Sequence, residues 1–152
     1  MSDQSLITAD LVDLDLAATD RNAATRSLAE RLAAAGRVTD LEGFLADVAA
    51  REAQMPTGIE GGIGIPHCRS AHVTAPTLGF GRAAHGIDWG AADGPATLVF
   101  LIAAPEGGGS EHMKILAALA RRLIRQEFKD HLHQATDPAE VADYISQEVT
   151  PQ

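Results

Sequence analysis

The chain has 152 residues and a mass of 15.9 kDa, which fits one domain that buries about two-thirds of its unfolded surface. Its formal net charge is -9, which disfavours nucleic acid and anionic membrane surfaces as partners because both are negatively charged. Aromatic residues make up only 4% of the chain, so we expect a core of aliphatic side chains.

The cysteine content and the first residues indicate where the protein works. Cys68 is the single cysteine, so no internal disulfide can form. Residues 1–4 lack the charged and then apolar pattern of a signal peptide, and the longest apolar run, at 96–105, is shorter than the ~20 residues of a membrane span. We therefore expect a cytoplasmic protein in a reducing compartment.

The beginning of the chain predicts a polar segment followed by a short strand. We expect residues 1–10 to be flexible and a single domain to cover residues 11–148. Val12, Leu14 and Leu16 alternate with two aspartates, which is the period of a half-buried strand.

Two amphipathic helices are predicted next. Thr19 or Asp20 can cap the first helix, and Gly36 is placed to end it. The second helix begins with a capping-box pattern at residues 39–42 and keeps apolar residues at helical spacing to about residue 52.

The second half of the chain alternates strands and helices. A strand is predicted at 77–83, a turn at 86–95 and a strand at 97–104 that is apolar on both faces, as in a sheet covered on both sides. One helix follows a cap at Ser110, and a last helix begins near Pro138. This order predicts an α/β fold, a three-layer sandwich with a central sheet flanked by helices on both faces.

A glycine-rich stretch at residues 57–69 carries the strongest functional signal. Glycine weakens strands, so four glycines before a histidine suggest that something approaches the backbone closely there. Pro66 restricts the chain before His67, and a neutral imidazole can act as a nucleophile toward phosphorus. Thr57 and the amides from Gly58 to Gly62 could donate hydrogen bonds to a phosphoryl group.

Two further residues are candidates for the same chemistry. Arg51 could supply a forked cationic donor to a phosphoryl group, although an arginine of this kind is more often part of a surface salt bridge. His112 lies at a predicted helix start on the inward face, where it could belong to an anion site or to the edge of the core.

Metal binding and thiol chemistry are open alternatives from the residues alone. The chain has six histidines, but His67 and Cys68 are neighbours that point to opposite faces of an extended chain, and no H-E-x-x-H pattern occurs. Cys68 could be a nucleophile with a histidine base, yet no orienting motif accompanies it.

Four features occur together: Arg51-Glu52, Thr57-Gly58-Ile59, Gly62-Ile63-Gly64-Ile65-Pro66-His67, and His112. In this combination the sequence resembles the enzyme IIA domains of the bacterial sugar phosphotransferase system, in the fructose/mannitol class. The resemblance extends over residues 6–145. The segment 93–105, followed by His112, is most similar to the fructose branch.

The resemblance implies a cytoplasmic phosphoryl carrier with a mixed sheet between helices. Phosphorylated HPr would donate to His67, which would pass the group to a cysteine of enzyme IIB and so reach the membrane permease only indirectly. Arg51 and His112 would lie beside the phosphoryl group, and no metal or cofactor would be required. A regulatory branch related to nitrogen metabolism uses the same histidine, and the sequence separates the two branches poorly.

Three positions depart from the family pattern. Pro56 stands where serine is common, Glu60 where a small or polar residue is usual, and Cys68 where glycine or alanine is frequent. Glu60 places a negative charge near the expected phosphoryl site, but none of the three removes a residue with a chemical role.

Overall fold

The computed structural model of the protein describes residues 6–54, 58–59, 62–89, 94–107 and 111–149, with side chains described throughout except at 58–59 and 111–112. The helices are α1 (Arg21–Ala34), α2 (Leu41–Gln54), α3 (Glu111–Leu123), α4 (Gln126–Gln134) and α5 (Pro138–Val149). The strands are β1 (Val12–Asp13), β2 (Gly58–Ile59), β3 (Ile63–Gly64), β4 (His67–Ser70), β5 (Thr77–Ile87) and β6 (Ala96–Pro105).

The strands form one mixed sheet centred on β6. On one side β6 pairs antiparallel with β5, which pairs parallel with β1. On the other side β6 pairs parallel with both β3 and β4, and β2 pairs antiparallel with β3. Ile63 lies opposite Leu98 and His67 opposite Ile102, so β3 and β4 follow one line along β6 in the same register.

Pro66 separates β3 from β4 on that line. Proline has no N–H to donate to a sheet, but the Pro66 carbonyl still accepts the Ile102 N–H at 3.0 Å. Since β2 pairs with β3 only, β4 has no outer neighbour among the described strands. His67 is therefore the first residue of a strand at the edge of the described sheet.

Helices cover both faces of the sheet, which confirms the predicted three-layer α/β sandwich. The first layer contains α1 and α2, and α1 buries Ala24, Leu28 and Leu32 against β5. In the other layer α3 packs on β6 and on α5, and α5 packs on β1. One continuous core extends from Ile7 to Val149. It is mostly aliphatic, as the low aromatic content predicted, but it also contains all four phenylalanines and the single tryptophan.

The start of the chain is more ordered than the sequence predicted. Ile7 is buried, and the Leu6 carbonyl accepts the Leu78 N–H at 2.8 Å. A 3-10 turn at Ala9–Leu11 leads directly into β1. The expected flexible segment at 1–10 is therefore wrong for residues 6–10, while residues 1–5 lie outside the described ranges.

The first predicted strand is shorter than its alternating pattern indicated. Only Val12–Asp13 pair with β5, because the Asp13 carboxylate accepts the Asp15 N–H at 3.0 Å and turns the chain. Leu14 and Leu16 are nevertheless buried. The alternating pattern therefore indicated which side chains are buried, but not how long the strand is.

The helix caps differ in detail from the predicted ones. Asp20, one of the two candidates, caps α1 by accepting the Ala23 N–H at 2.8 Å. At α2 the Asp40 carboxylate accepts the Gly43 N–H at 3.1 Å, while the Thr39 hydroxyl donates to the His72 carbonyl at 3.2 Å. The capping-box prediction is therefore wrong.

Two other parts of the chain differ from prediction. The sequence did not predict α4, and β5 continues to Ile87, into the predicted turn. No helix in the described ranges is both long enough and apolar enough to span a membrane.

Candidate functional site

The imidazole of His67 is held in one orientation by the backbone before it. Its Nδ1 atom lies 2.7 Å from the Ile65 carbonyl oxygen. A carbonyl oxygen only accepts hydrogen bonds, so Nδ1 carries the proton and donates it to Ile65. In the neutral ring the lone pair is therefore on Nε2, on the side of the ring away from the Ile65 carbonyl.

Arg51 faces that lone pair. It lies in the last turn of α2, and its Nη2 atom is 3.4 Å from His67 Nε2. A hydrogen bond of this length is weak, so it leaves Nε2 able to form another bond. Both side chains are half-buried, and the guanidinium places a fixed positive charge beside the imidazole.

His67 and Arg51 line an open surface depression of about 410 Å³. Its other lining residues come from α2, β4, the chain after β6, and α3: Asp47, Ala50, Gln54, Cys68, Arg69, Glu106, Met113 and Leu116. The side chains around the depression are of mixed polarity. Ala50, Met113 and Leu116 provide the apolar part.

Cys68 lacks the properties of a nucleophile. The thiol is 8% exposed, and burial raises its pKa to about 12, with a smaller contribution from the negative charge of Asp47. The thiolate is the reactive form of cysteine, so Cys68 is almost fully protonated and inert near neutral pH. The structure thus argues against the alternative of a Cys68 thiol hydrolase.

The glycines before His67 have structural roles that the sequence did not reveal. A Cβ atom on Gly64 would lie 2.6 Å from Trp89 Cδ2, so the close approach here is made by the buried indole. Gly62 has φ +79° in the turn before β3, and its carbonyl accepts the Thr97 N–H at 2.8 Å.

A match to a family of known proteins shows which family the chain belongs to. Residues 5–148 match the family described as phosphoenolpyruvate-dependent sugar phosphotransferase system, EIIA 2. The chain belongs to this EIIA family. Its members are phosphotransferases that carry a phosphoryl group between proteins, so the chain is a transferase of the sugar phosphotransferase system.

Individual relatives support this assignment. The EIIA chain is 36% identical over 151 residues to the fructose-specific EIIA component of Haloferax volcanii, covering 98% of both chains. The crystal structure of nitrogen regulatory protein IIA-Ntr from Neisseria meningitidis has the same fold, with a TM-score of 0.84, 24% identity and coverage of 92% of this chain and 96% of that one. The complex of enzyme IIA and phosphorylated enzyme IIB for mannitol from Escherichia coli matches with a TM-score of 0.76, 24% identity and coverage of 93% and 99%.

The predicted site residues of this EIIA protein are only partly brought together. Arg51 and His67 are in contact. Gly62 precedes Ile63, which pairs with β6 four positions before His67 does, a separation of about 13 Å at roughly 3.3 Å per residue. A phosphoryl group on His67 cannot reach that amide. Gly58 lies in β2 opposite Gly64.

Other predicted residues are described only in part or are outside the described ranges. The backbone of His112 is in the first turn of α3, where the sequence placed it, but its imidazole is outside the described side chains. Thr57 and Glu60 are outside the described residues altogether. Within the described ranges, no group of three or more His, Cys, Asp or Glu residues is arranged to hold a metal ion.

The residues that connect β4 to α2 and to the chain after β6 were not predicted from the sequence. The Ser70 hydroxyl donates to the Asp47 carboxylate at 2.6 Å, and Arg69 donates to the Glu106 carbonyl at 2.8 Å. Asp47 precedes Arg51 by four residues, which puts both on one helical face. The spacing between Asp47 and Arg51 can be seen in the sequence, but the contact between Asp47 and Ser70 on β4 cannot.

Proposed function

We propose that this EIIA protein accepts a phosphoryl group from phosphorylated HPr on Nε2 of His67 and passes it to a cysteine of a fructose-type enzyme IIB. The observation that carries the proposal is the orientation of His67. Its Nδ1–H is bound to the Ile65 carbonyl, so the free lone pair on Nε2 lies beside the Arg51 guanidinium in an open depression.

The transfer needs no group beyond the two histidines and the charges around them. The Nε2 lone pair of His67 attacks phosphorus while the bond between phosphorus and the donor histidine breaks, and the donor nitrogen keeps that electron pair. Nδ1 keeps its proton and its bond to Ile65. In the second step the IIB thiolate attacks phosphorus, and the electron pair returns to Nε2 of His67.

Arg51 would stabilise the transferring group. Its guanidinium can move from the weak contact with Nε2 to the phosphoryl oxygens, where its donors meet full negative charge. We include the Gly58 amide, Thr57 and His112, all candidates from the sequence, as further hydrogen-bond donors to the phosphoryl group. Nucleotide and metal are not part of the scheme because the donor is a phosphohistidine.

The proposed partners follow from the shape of the site and from the relatives. A depression open to solvent admits the surface of another protein, as both transfers require. The mannitol relative of Escherichia coli forms a complex with phosphorylated enzyme IIB, and the Haloferax volcanii relative is fructose-specific. We propose a cytoplasmic protein that reaches the membrane only through enzymes IIB and IIC.

A regulatory role of the nitrogen-related type is the second candidate. The structure of IIA-Ntr from Neisseria meningitidis supports a shared fold only, because its identity is 24%. The 36% identity to a fructose-specific component favours sugar uptake. Phosphoryl transfer to a fructose-type enzyme IIB would decide between them, since a purely regulatory protein would not perform it.

Incubation with phosphoenolpyruvate, enzyme I and HPr, followed by intact mass measurement, tests the proposal. We expect one acid-labile phosphate on the wild-type chain and none on His67→Ala. His85→Ala is a matched control, because His85 is exposed and its ring bonds the Ala18 carbonyl away from the depression. It should be phosphorylated as the wild type is. Normal phosphorylation of His67→Ala would refute the proposal.

A further inference from the structure

The helix that carries Arg51 and the strand that carries His67 are joined by a second side-chain contact. The Ser70 hydroxyl donates to Asp47 Oδ2 at 2.6 Å. Its oxygen also accepts the His72 N–H at 3.1 Å. Ser70 is 1% exposed, so its hydroxyl has little access to water and the hydrogen bond to Asp47 satisfies its only proton.

The contact between Ser70 and Asp47 is next to the contact between His67 and Arg51, on the same helix and the same strand. Along α2, Arg51 is one turn after Asp47, so the two side chains project from the same face. Along β4, His67 is three residues before Ser70. The helix and the strand therefore run in opposite directions, with Asp47 opposite Ser70 and Arg51 opposite His67.

The two contacts differ in strength. The hydrogen bond from Ser70 to Asp47 is short and involves a charged acceptor, which makes it one of the stronger types. The contact between Arg51 and His67 is 3.4 Å long and cannot by itself hold a flexible arginine in place. The position of Arg51 must then depend on how α2 is fixed against β4.

We propose that the hydrogen bond between Ser70 and Asp47, here called the clamp, is a positioning device for phosphoryl transfer at His67. The clamp fixes α2 against β4, so that the Arg51 guanidinium meets the phosphoryl group in the transition state. This inference rests on the proposed function of His67. Asp47 and Ser70 do not touch the phosphoryl group in this account and act through Arg51.

The test is the rate of phosphohistidine formation, measured by rapid quench at saturating phosphorylated HPr. We expect Ser70→Ala to slow transfer about tenfold, since a shift of about 1 Å in a positioning group can cost that much or more. Asp47→Ala removes the same hydrogen bond from the helix side, at a half-buried position where alanine is a good helix former, and it should slow transfer similarly. The KM for HPr should stay unchanged in Ser70→Ala, because Ser70 is not among the residues that line the depression.

Two comparisons separate positioning from a merely structural effect. In an Arg51→Ala background, Ser70→Ala should change the rate less than about twofold, because the clamp would have nothing left to position. Asp47→Asn keeps an oxygen that can accept the Ser70 proton, so it should restore most of the rate.

Thr39→Ala is the matched control for stability. It removes another side-chain bond to the chain after β4, between Thr39 and the His72 carbonyl, at the far end of α2 from Arg51. We expect its transfer rate to match the wild type. Wild-type rates in both Ser70→Ala and Asp47→Ala would overturn the inference, as would a full tenfold loss from Ser70→Ala in the Arg51→Ala background. Absence of phosphate on His67 in the wild type would instead overturn the proposed function.

Discussion

His67 and Arg51 come from different elements, and each is held by a different kind of constraint. The Ile65 carbonyl fixes the ring of His67 from within its own segment, so its tautomer is a local property of the chain. Arg51 depends on the placement of α2, which is a tertiary property. Changes at these two residues should therefore have different consequences.

Replacement of Arg51 tests its part in the chemistry. We expect Arg51→Ala to lower the rate of phosphoryl transfer about 10- to 100-fold, the equivalent of about 1.5–3 kcal/mol for a hydrogen bond to a charged group. Arg51→Lys should recover part of the rate, because lysine keeps the charge but not the planar fork. The measurement is single-turnover transfer from phosphorylated HPr.

Arg26→Ala serves as the control for this prediction. Arg26 forms an ion pair with Glu42 at 2.9 Å on the surface of α1 and α2, outside the depression. Its transfer rate should equal that of the wild type. Equal rates in Arg51→Ala and the wild type would remove Arg51 from the mechanism.

The buried thiol of Cys68 predicts a loss of stability in alkali. Its pKa in the folded protein is raised to about 12 from the ordinary 9.0, so above pH 9.0 the unfolded chain loses a proton that the folded chain keeps. The free energy of unfolding should then fall by about 1.4 kcal/mol per pH unit from this group, up to its folded pKa.

Urea unfolding of the wild type and of Cys68→Ala between about pH 8 and pH 10.5 measures this effect, and the difference between them isolates the thiol from other titrating groups. The wild-type stability should fall more steeply. Parallel curves would show that the thiol ionises normally in the folded state. Cys68→Ala should also be phosphorylated on His67, because Cys68 has no part in the proposed transfer.

At the scale of elements, residues with clear local partners were predictable and those with distant partners were not. The helical spacing predicted α1, α2, α3 and α5, and the apolar run predicted β6 at the centre of the sheet. The helix α4 was missed because it buries only Phe128 and Leu132 and has no capping side chain at its start. Its last carbonyls are bound instead by Arg82, about 50 residues earlier in sequence.

The glycine-rich stretch is a second case in which a distant partner could not be predicted from the sequence. The sequence indicated that something approaches the backbone before His67, and it suggested a phosphoryl group. At Gly64 the approaching group is the indole of Trp89, which lies 25 residues later in the chain. Contacts over such sequence separations depend on the packing of the whole sheet, which a local pattern does not contain.

Substitution of Gly64 tests this structural role. Gly64→Ala should destabilise the fold by about 1–3 kcal/mol, the usual cost of forcing an extra group into a packed interior. The single tryptophan makes the displacement visible as a change in Trp89 emission. Gly107→Ala is the matched control, because a Cβ there meets nothing within 4 Å. Similar urea midpoints for both variants would contradict the proposed packing.

At the scale of the whole molecule, the site lies on the edge of the sheet between two helical layers. The depression around His67 combines an exposed apolar residue, Met113, with charged residues such as Arg69 and Glu106. A carrier must release both of its partners, and a mixed open surface suits transient contacts better than a large apolar one. The sequence resemblance predicted the partners, whereas the surface that we propose for their docking could be identified only from the structure.

A negative charge introduced at the rim of the depression should weaken the binding of HPr without slowing the phosphoryl transfer itself. We expect Met113→Glu to raise the KM for phosphorylated HPr severalfold with little change in the rate at saturation. Ile124→Glu is a suitable control, since Ile124 is 84% exposed but outside the lining of the depression. If both variants raise the KM equally, the effect is one of net charge and the docking surface is elsewhere.

In the proposed transfer Nε2 of His67 carries the phosphoryl group, while Nδ1 keeps its proton and its bond to Ile65. Nitrogen-15 and phosphorus-31 NMR of the phosphorylated, isotope-labelled protein tests this most directly. We expect a phosphorus coupled to Nε2 of His67 and a protonated Nδ1. A phosphorus coupled to Nδ1, or to a nitrogen of another histidine, would contradict it.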